Sequence, residues 1–266
     1  MSQAITRPGS NLTELRPAMP DPFVIFAVVT IVALAGLTRS VFGFGDALVA
    51  MPLLSLVVEL RIATPLVTVV AFAMGASILV QYRRHLQLNR FLGLFFLAAL
   101  PGIPVGIFLL RGIEEAPMKL ALGILILLYA AFSLAHTGSG RPARSGTATY
   151  GLGFLAGILG GAYNIAGPPI VVLGSLKQWP PPTFRANLQS FFLPIGLALV
   201  LSRAAAGQFT GPVLALAGFA LPANLLALLL GRRIARRLPA SRFHSLVYWI
   251  IALLGALLLW QSIANL

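Results

Sequence analysis

The chain alternates long apolar segments with short polar or glycine-rich ones from residue 22 to its end. A helix needs about 20 residues to cross a membrane. Six segments have roughly that length: 62–81, 91–110, 118–136, 186–203, 211–230 and 243–264. Four further apolar segments are shorter or interrupted by glycine: 22–42, 45–60, 147–161 and 164–177. These four occur as two consecutive pairs, and each pair predicts two half-helices or a tight helical hairpin.

The second half of the chain repeats features of the first half in the same order. Three motifs recur: Gly43-Phe44-Gly45 as Gly160-Gly161, Ala63-Thr64 as Ala186-Asn187, and Leu100-Pro101 as Leu221-Pro222. A stretch between the halves, TGSGRPARSG, has the composition of a linker. The pattern therefore predicts a duplication, with a polar N-terminal tail at 1–21, a first membrane repeat at 22–136, a cytoplasmic linker at 137–146 and a second membrane repeat at 147–266.

Composition supports a membrane protein and excludes several other classes. Of 266 residues, 58% are hydrophobic and 9% are charged, whereas soluble domains carry about 25% charged residues. The net charge of +13 comes mainly from arginines between apolar segments, as the positive-inside rule expects. No soluble basic face is left for nucleic acid. The chain has no cysteine, which excludes thiolate catalysis and cysteine-ligated metals.

The arginines also predict how the repeats are oriented. Clusters at 83–90 and 232–242 mark cytoplasmic loops, while 111–119 contains two glutamates and fits the outside. From these positions the first hairpin begins and ends outside, and the second begins and ends inside. The predicted fold is an all-α polytopic membrane protein of two inverted repeats, each a glycine-broken helical hairpin plus three transmembrane helices. Inverted repeats with broken helices are typical of secondary transporters, whose sites lie near the middle of the membrane.

Glycines at the predicted breaks are the first candidate site residues: Gly43, Gly45, Gly160 and Gly161, together with the intervening Phe44. If they break helices, the N–H groups of the following half-helices would face an anion. The alternative is close helix packing through small residues, which the spacing Gly153-x3-Gly157-x3-Gly161 also fits.

Two charged residues flank the first break. Asp46 is the only acid with long apolar sequence on both sides. Because intramembrane carboxylates are costly and usually functional, we interpret it as a proton-coupling residue, with a helix N-cap role as the alternative. Arg39 is a candidate to bind an anionic substrate through its planar set of donors. Its alternative roles are to mark a loop end or to contact lipid headgroups.

Four neutral residues complete the candidate site. Asn164 follows the second glycine pair, and Thr64, Asn187 and Gln189 lie near the predicted beginnings of their helices. All four can form hydrogen bonds to an anion, although Thr64 and Asn187 also fit helix N-caps. Arg203 ends an apolar segment, which favours snorkelling to the membrane interface.

The segment 43–54 (GFGDALVAMPLL) resembles the N-terminal signature of the TauE/SafE sulfite exporter family, also called the TSUP permeases. Gly160-Gly161 and Pro168-Pro169 resemble the repeat of that signature, and the likeness extends over nearly the whole chain from residue 22. Asp46 stands where the family often has glycine. The resemblance implies a bacterial inner-membrane permease that exports small sulfur-containing anions such as sulfite or sulfoacetate.

The sequence as a whole predicts a secondary carrier that works by alternating access, with proton coupling at Asp46. Two other functions stay open: an uncoupled anion channel, and a membrane scaffold subunit that transports nothing. Because no nucleophile–base or metal-ligand set can be assembled from the sequence, we expect no enzyme activity, cofactor or metal. The expected partners are the small anion and the lipid bilayer, without nucleic acid, and the sequence leaves open whether the protein forms a homo-oligomer.

Overall fold

The computed structural model describes residues 21–82, 90–135, 146–177, 179, 181–235, 249, 252–260 and 262–263. Within them, nine helices have defined bounds: α1 Pro22–Phe42, α2 Asp46–Leu54, α3 Leu60–Tyr82, α4 Arg90–Gly112, α5 Glu115–Ala135, α6 Gly146–Tyr163, α7 Gly167–Leu176, α8 Pro181–Ala205 and α9 Gly211–Ala235. Residues 252–260 are also helical, and no strand occurs in the described part of the chain. Most of the predicted tail and linker, and most of both arginine clusters, lie outside the described residues.

Six of the helices are long and apolar enough to cross a membrane: Pro22–Ser40, Leu60–Ser77, Phe91–Gly112, Glu115–Ser133, Ala186–Ala205 and Gly211–Gly231. Five of them match predicted spans, and the sixth is α1, which the sequence assigned to a broken hairpin. Large apolar side chains project from their outer faces, among them Phe23, Phe108 and Leu128. An exposed apolar surface of this extent needs a lipid environment, so the chain is a multi-pass membrane protein.

The two halves of the chain pack against each other through glycine. Gly157 of α6 lies against α4, where an added methyl group would collide with the Ala99 carbonyl and lie 3.0 Å from the Gly102 Cα. Gly231 of α9 lies against α1, where its added methyl group would lie 2.6 Å from the Ser40 Cβ and 3.3 Å from the Leu37 carbonyl oxygen. Only residues without a side chain let two helix backbones approach this closely. The small-residue packing weighed for Gly153, Gly157 and Gly161 is therefore present.

Contacts between helix ends show which way the chain runs. At one end of the bundle, Arg61 at the beginning of α3 donates to the carbonyl of Arg111 (3.0 Å), and Arg111 donates to the carbonyl of Ala206 after α8. At the other end, the Lys177 ammonium lies 4.0 Å from the centre of the Phe91 ring. The short helix α2 thus leads back to the first end, and the short helix α7 leads to the second end.

Candidate functional site

The first helix break lies where the sequence predicts it. α1 ends at Phe42, α2 begins at Asp46, and Gly43 and Gly45 between them have φ angles of 82° and 94°. Side chains are strained at such angles, so glycine allows the chain to reverse here. Gly45 occupies the N-cap position of α2 without a side-chain cap. Asp46 is the first residue inside α2, and the alternative role of Asp46 as the N-cap is therefore wrong.

The second break lies further along the chain than predicted. α6 continues through Gly160 and Gly161 to Tyr163, and α7 begins only at Gly167. Among the described non-glycine residues, only Asn164 has a positive φ, 59°. Asparagine is the non-glycine residue that adopts this region most readily. The prediction that Gly160 and Gly161 break the helix is wrong, because Gly161 is needed for backbone packing against α4 and Asn164 provides the turn.

The structural correspondence between the halves is also shifted from the predicted one. α2, α3 and α4 begin 121 residues before α7, α8 and α9 (46 and 167, 60 and 181, 90 and 211). At this offset Gly43 corresponds to Asn164, so the two breaks have a residue with a left-handed backbone conformation at equivalent positions. Leu100-Pro101 and Leu221-Pro222 keep this offset, whereas the two other predicted matches were out of register.

Each break is hydrogen-bonded to a long helix of the other half. The Thr68 hydroxyl on α3 donates to the Asn164 side-chain oxygen (3.0 Å). The Gln189 amide on α8 donates to the Gly43 carbonyl (2.8 Å). Thr68 and Gln189 themselves correspond at the offset of 121 residues. These reciprocal bonds hold both breaks beside α3 and α8, near the middle of those helices.

A small cavity of about 50 Å³ lies between the two breaks. A single water needs about 10–15 Å³, so the cavity has room for a few waters or a compact anion. Its polar lining comes from Arg39, Asp46, Thr68 and Asn164. Its apolar lining includes the rings of Phe44, Phe72 and Phe192. The mixture of convergent polar groups and aromatic rings is typical of a small-molecule site.

Arg39 and Asp46 form an ion pair across the first break. Their side chains are 5% and 17% exposed, and the Arg39 Nη1 lies 2.7 Å from the Asp46 Oδ2. The same nitrogen donates to the Ala71 carbonyl (3.2 Å), and the guanidinium lies 5.6 Å from the centre of the Phe192 ring. Both roles considered for Arg39 outside the core, loop end or lipid contact, are therefore wrong. A buried charge with this many donors can bind an anion if the carboxylate gives way.

The remaining predicted residues do not line the cavity. Thr64 and Asn187 are fully buried inside α3 and α8 rather than at their beginnings, so neither is an N-cap. The Thr64 hydroxyl donates to the Leu60 carbonyl in its own helix (2.7 Å). Gln189 and Gly43 are tied to each other instead of facing the cavity. The structure thus brings Arg39, Phe44, Gly45, Asp46 and Asn164 together at the cavity.

Arg203 is a buried cation, although its place in the sequence predicts a position at the membrane interface. Its side chain is 0% exposed, which contradicts snorkelling to the interface. The Nη2 donates to the carbonyls of Gly160 (3.2 Å) and Gly161 (2.6 Å), and the Nη1 donates to the Gln208 side chain (2.6 Å). No local signal in the sequence reveals this position, because Arg203 lies at the end of an apolar segment, where arginine is the usual residue at a membrane interface.

The model of the family "Sulfite exporter TauE/SafE" matches residues 28–258. The chain belongs to this family. It is 26% identical, over 232 residues, to a Cupriavidus necator protein named "Probable sulfite/organosulfonate exporter TauE", covering 85% of this chain and 90% of that protein. No solved structure matches the chain.

Membership in the TauE/SafE family decides the general class of the protein. The family consists of membrane exporters, so the chain is a transporter and not an enzyme. The matched region contains both helix breaks, the helices α3 and α8 beside them, and every polar residue of the cavity. The family match and the cavity therefore concern the same part of the molecule.

Proposed function

We propose that this TauE/SafE chain is a secondary transporter that exports sulfite or small organosulfonate anions across the bacterial inner membrane. The observation that carries the proposal is the cavity between the two breaks, where Arg39 provides a buried cation. The named substrate of the Cupriavidus relative is a sulfite or organosulfonate. Both are oxyanions that an arginine binds through parallel hydrogen bonds.

The substrate anion is held mainly at the first break. Arg39 supplies charge, and the N–H groups at the beginning of α2 supply further donors, since the first N–H groups of a helix have no partner within the helix. The second break contributes less of this kind, because Pro168 and Pro169 in the first turn of α7 have no N–H group. Asn164 and Thr68 add neutral polar groups from the opposite side of the cavity.

Asp46 makes anion binding depend on a proton. With its carboxylate bound to Arg39, the pair is neutral and an incoming anion must compete for the same guanidinium. Protonation of Asp46 removes the competitor and frees the Arg39 donors. One proton therefore binds together with one anion, so the two binding equilibria are linked.

Alternating access follows from two halves of opposite direction. Helices α1 and α9 pack side by side in the same direction, and so do α4 and α6. Each packed pair thus contains one helix from each half, which supports a mechanism in which the pairs move against each other. The return of α2 and α7 to opposite ends of the bundle supports inverted repeats. Movement of one pair past the other about α3 and α8 would open the cavity first to one side and then to the other.

The proposal is tested with labelled sulfite and purified protein in proteoliposomes. We expect Arg39→Gln to abolish uptake and Arg39→Lys to retain part of it, because lysine keeps the charge without the planar donors. Arg61→Gln removes an exposed arginine at the beginning of α3 and is the matched control, with uptake unchanged. Uptake by Arg39→Gln equal to that of the unmodified protein would exclude the cavity as the site.

A further inference from the structure

Arg203 carries a buried positive charge that the binding scheme above does not use. Among the residues whose side chains the structure describes, the buried charged ones are Arg39 and Arg203. Arg39 is neutralised by Asp46, whereas the recorded partners of Arg203 are two carbonyls and an amide, all uncharged. The buried interior around the two breaks therefore has a net positive charge, and Arg203 is its source.

The position of Arg203 connects this charge to the cavity. Leu199, one turn earlier on α8, lines the cavity, and one helical turn advances by about 5.4 Å. Gly160, whose carbonyl accepts from Arg203, lies against both Leu199 and Ala166 of the cavity wall. One layer of side chains thus separates the guanidinium from the substrate.

Arg203 also changes what the end of α6 presents to an anion. The last carbonyls of a helix carry roughly half a negative charge and would repel an anion at the break that follows. Arg203 binds two of these carbonyls, at Gly160 and Gly161. Its full positive charge exceeds the partial negative charge of the helix end, and the sum remains positive.

We infer that Arg203 selects for anions from behind the cavity wall, as a positioning charge that attracts the substrate without touching it. The inference rests on the proposed function, because it assumes that the cavity binds anions. A purely structural role of Arg203 would not make the loss of affinity depend on the charge of the ligand, whereas an electrostatic role does. The contribution of a remote charge to binding scales with the charge of the ligand, so a divalent anion must depend on Arg203 more steeply than a monovalent one.

Gln208 allows this charge to be cancelled while Arg203 stays in place. Its side-chain oxygen accepts from the Arg203 Nη1 at 2.6 Å, and both residues are buried. Gln208→Glu replaces that amide by a carboxylate of nearly the same shape, so the new ion pair preserves the bond and the packing. Arg203→Gln, which removes the charge, and Arg203→Lys, which keeps it, are the complementary variants.

The test measures dissociation constants of monovalent methanesulfonate and divalent sulfoacetate by titration calorimetry, with the full chain in lipid nanodiscs. For Gln208→Glu and Arg203→Gln we expect a loss of about tenfold for methanesulfonate and about a hundredfold for sulfoacetate, as for a unit charge roughly 10 Å away at a dielectric constant near 20. Arg203→Lys retains most of the affinity for both. Arg111→Gln, which removes an exposed arginine beside Ala206, is the control and changes neither.

Equal losses for the two anions, or no loss in Gln208→Glu, would overturn the inference and leave Arg203 a structural residue. If Arg203→Gln does not fold, Gln208→Glu and Arg203→Lys still decide the matter. Failure of the unmodified protein to bind methanesulfonate, sulfoacetate and sulfite would instead refute the proposed function itself, which separates the two results.

Discussion

Replacing Asp46 by asparagine removes the charge that competes with the substrate for Arg39. The carboxylate and guanidinium are 2.7 Å apart and both largely buried, so their hydrogen bond belongs to the charged class, worth about 1.5–3 kcal/mol. An amide in its place keeps a neutral bond worth about 1 kcal/mol. The difference of about 0.5–2 kcal/mol predicts that Asp46→Asn binds methanesulfonate roughly two- to thirtyfold more tightly at neutral pH.

The pH dependence of methanesulfonate affinity is also expected to differ between the unmodified protein and Asp46→Asn. In the unmodified protein the anion binds together with a proton on Asp46, so affinity rises as pH falls. Methanesulfonate keeps its charge over this range and contributes no pH dependence of its own. Asp46→Asn has no proton to take up at this position, and its affinity is therefore the same from acidic to mildly alkaline pH.

The assay is titration of methanesulfonate into the protein at several pH values, followed by transport with and without an imposed proton gradient. Asp21→Asn is the control, since Asp21 is an exposed cap of α1 whose carboxylate accepts from the Phe23 N–H. It leaves the affinity and its pH dependence unchanged. An unchanged pH slope in Asp46→Asn, or transport that still depends on the proton gradient, would refute the role of Asp46.

Three further predictions concern the scaffold of the site, each measured by thermal denaturation in detergent. Gly45→Ala places a side chain at a φ of 94°, which costs about 1–2 kcal/mol and lowers the melting temperature by several degrees. Gly151→Ala, where a methyl group meets no atom within 4 Å, does not lower it, and an equal loss in both variants would contradict the argument. The added methyl group of Gly157→Ala collides with the α4 backbone, so this variant has the largest loss of melting temperature and aggregates on size exclusion. An unchanged melting temperature would show that α4 and α6 need not be this close. Thr68→Val removes the hydroxyl that donates to Asn164 and costs about 1 kcal/mol, whereas a melting temperature equal to that of the unmodified protein would mean that the bond contributes nothing.

Much of the fold could be predicted from the sequence, because its signals are local. Helix length, apolar composition and the glycines of the first break follow directly from residue type. The bounds of α1, 22–42, and the beginning of α9 at residue 211 agree with the predicted segments. The first break was placed correctly because only glycine is free of strain at two positive φ angles so close together.

The second break could not be placed in the same way. Asn164 is a single polar residue, and its left-handed backbone is one of several conformations that asparagine adopts. The nearby glycines gave a stronger signal, but close packing of α6 against α4 accounts for Gly161. Glycine has two uses, turning and packing, and only the position of the neighbouring helix distinguishes them.

The partners of the charged residues at the site could not be predicted from the sequence either. Arg39 and Asp46 are seven residues apart, and they meet only because the chain reverses at the glycines between them. Arg203 is 42 residues from the carbonyl of Gly161 that it binds. Neither separation has a periodic signature, so the residues could be identified as candidates but not assigned to their partners.

Counterflow is the measurement that tests most directly whether the cavity belongs to a carrier. Labelled sulfite outside the vesicles is offered to proteoliposomes preloaded with unlabelled sulfite, and to empty ones. We expect saturable entry that is faster into preloaded vesicles, and loss of this exchange in Arg39→Gln. Entry that neither saturates nor responds to preloading would indicate a channel, and no sulfite movement by folded protein would contradict the account as a whole.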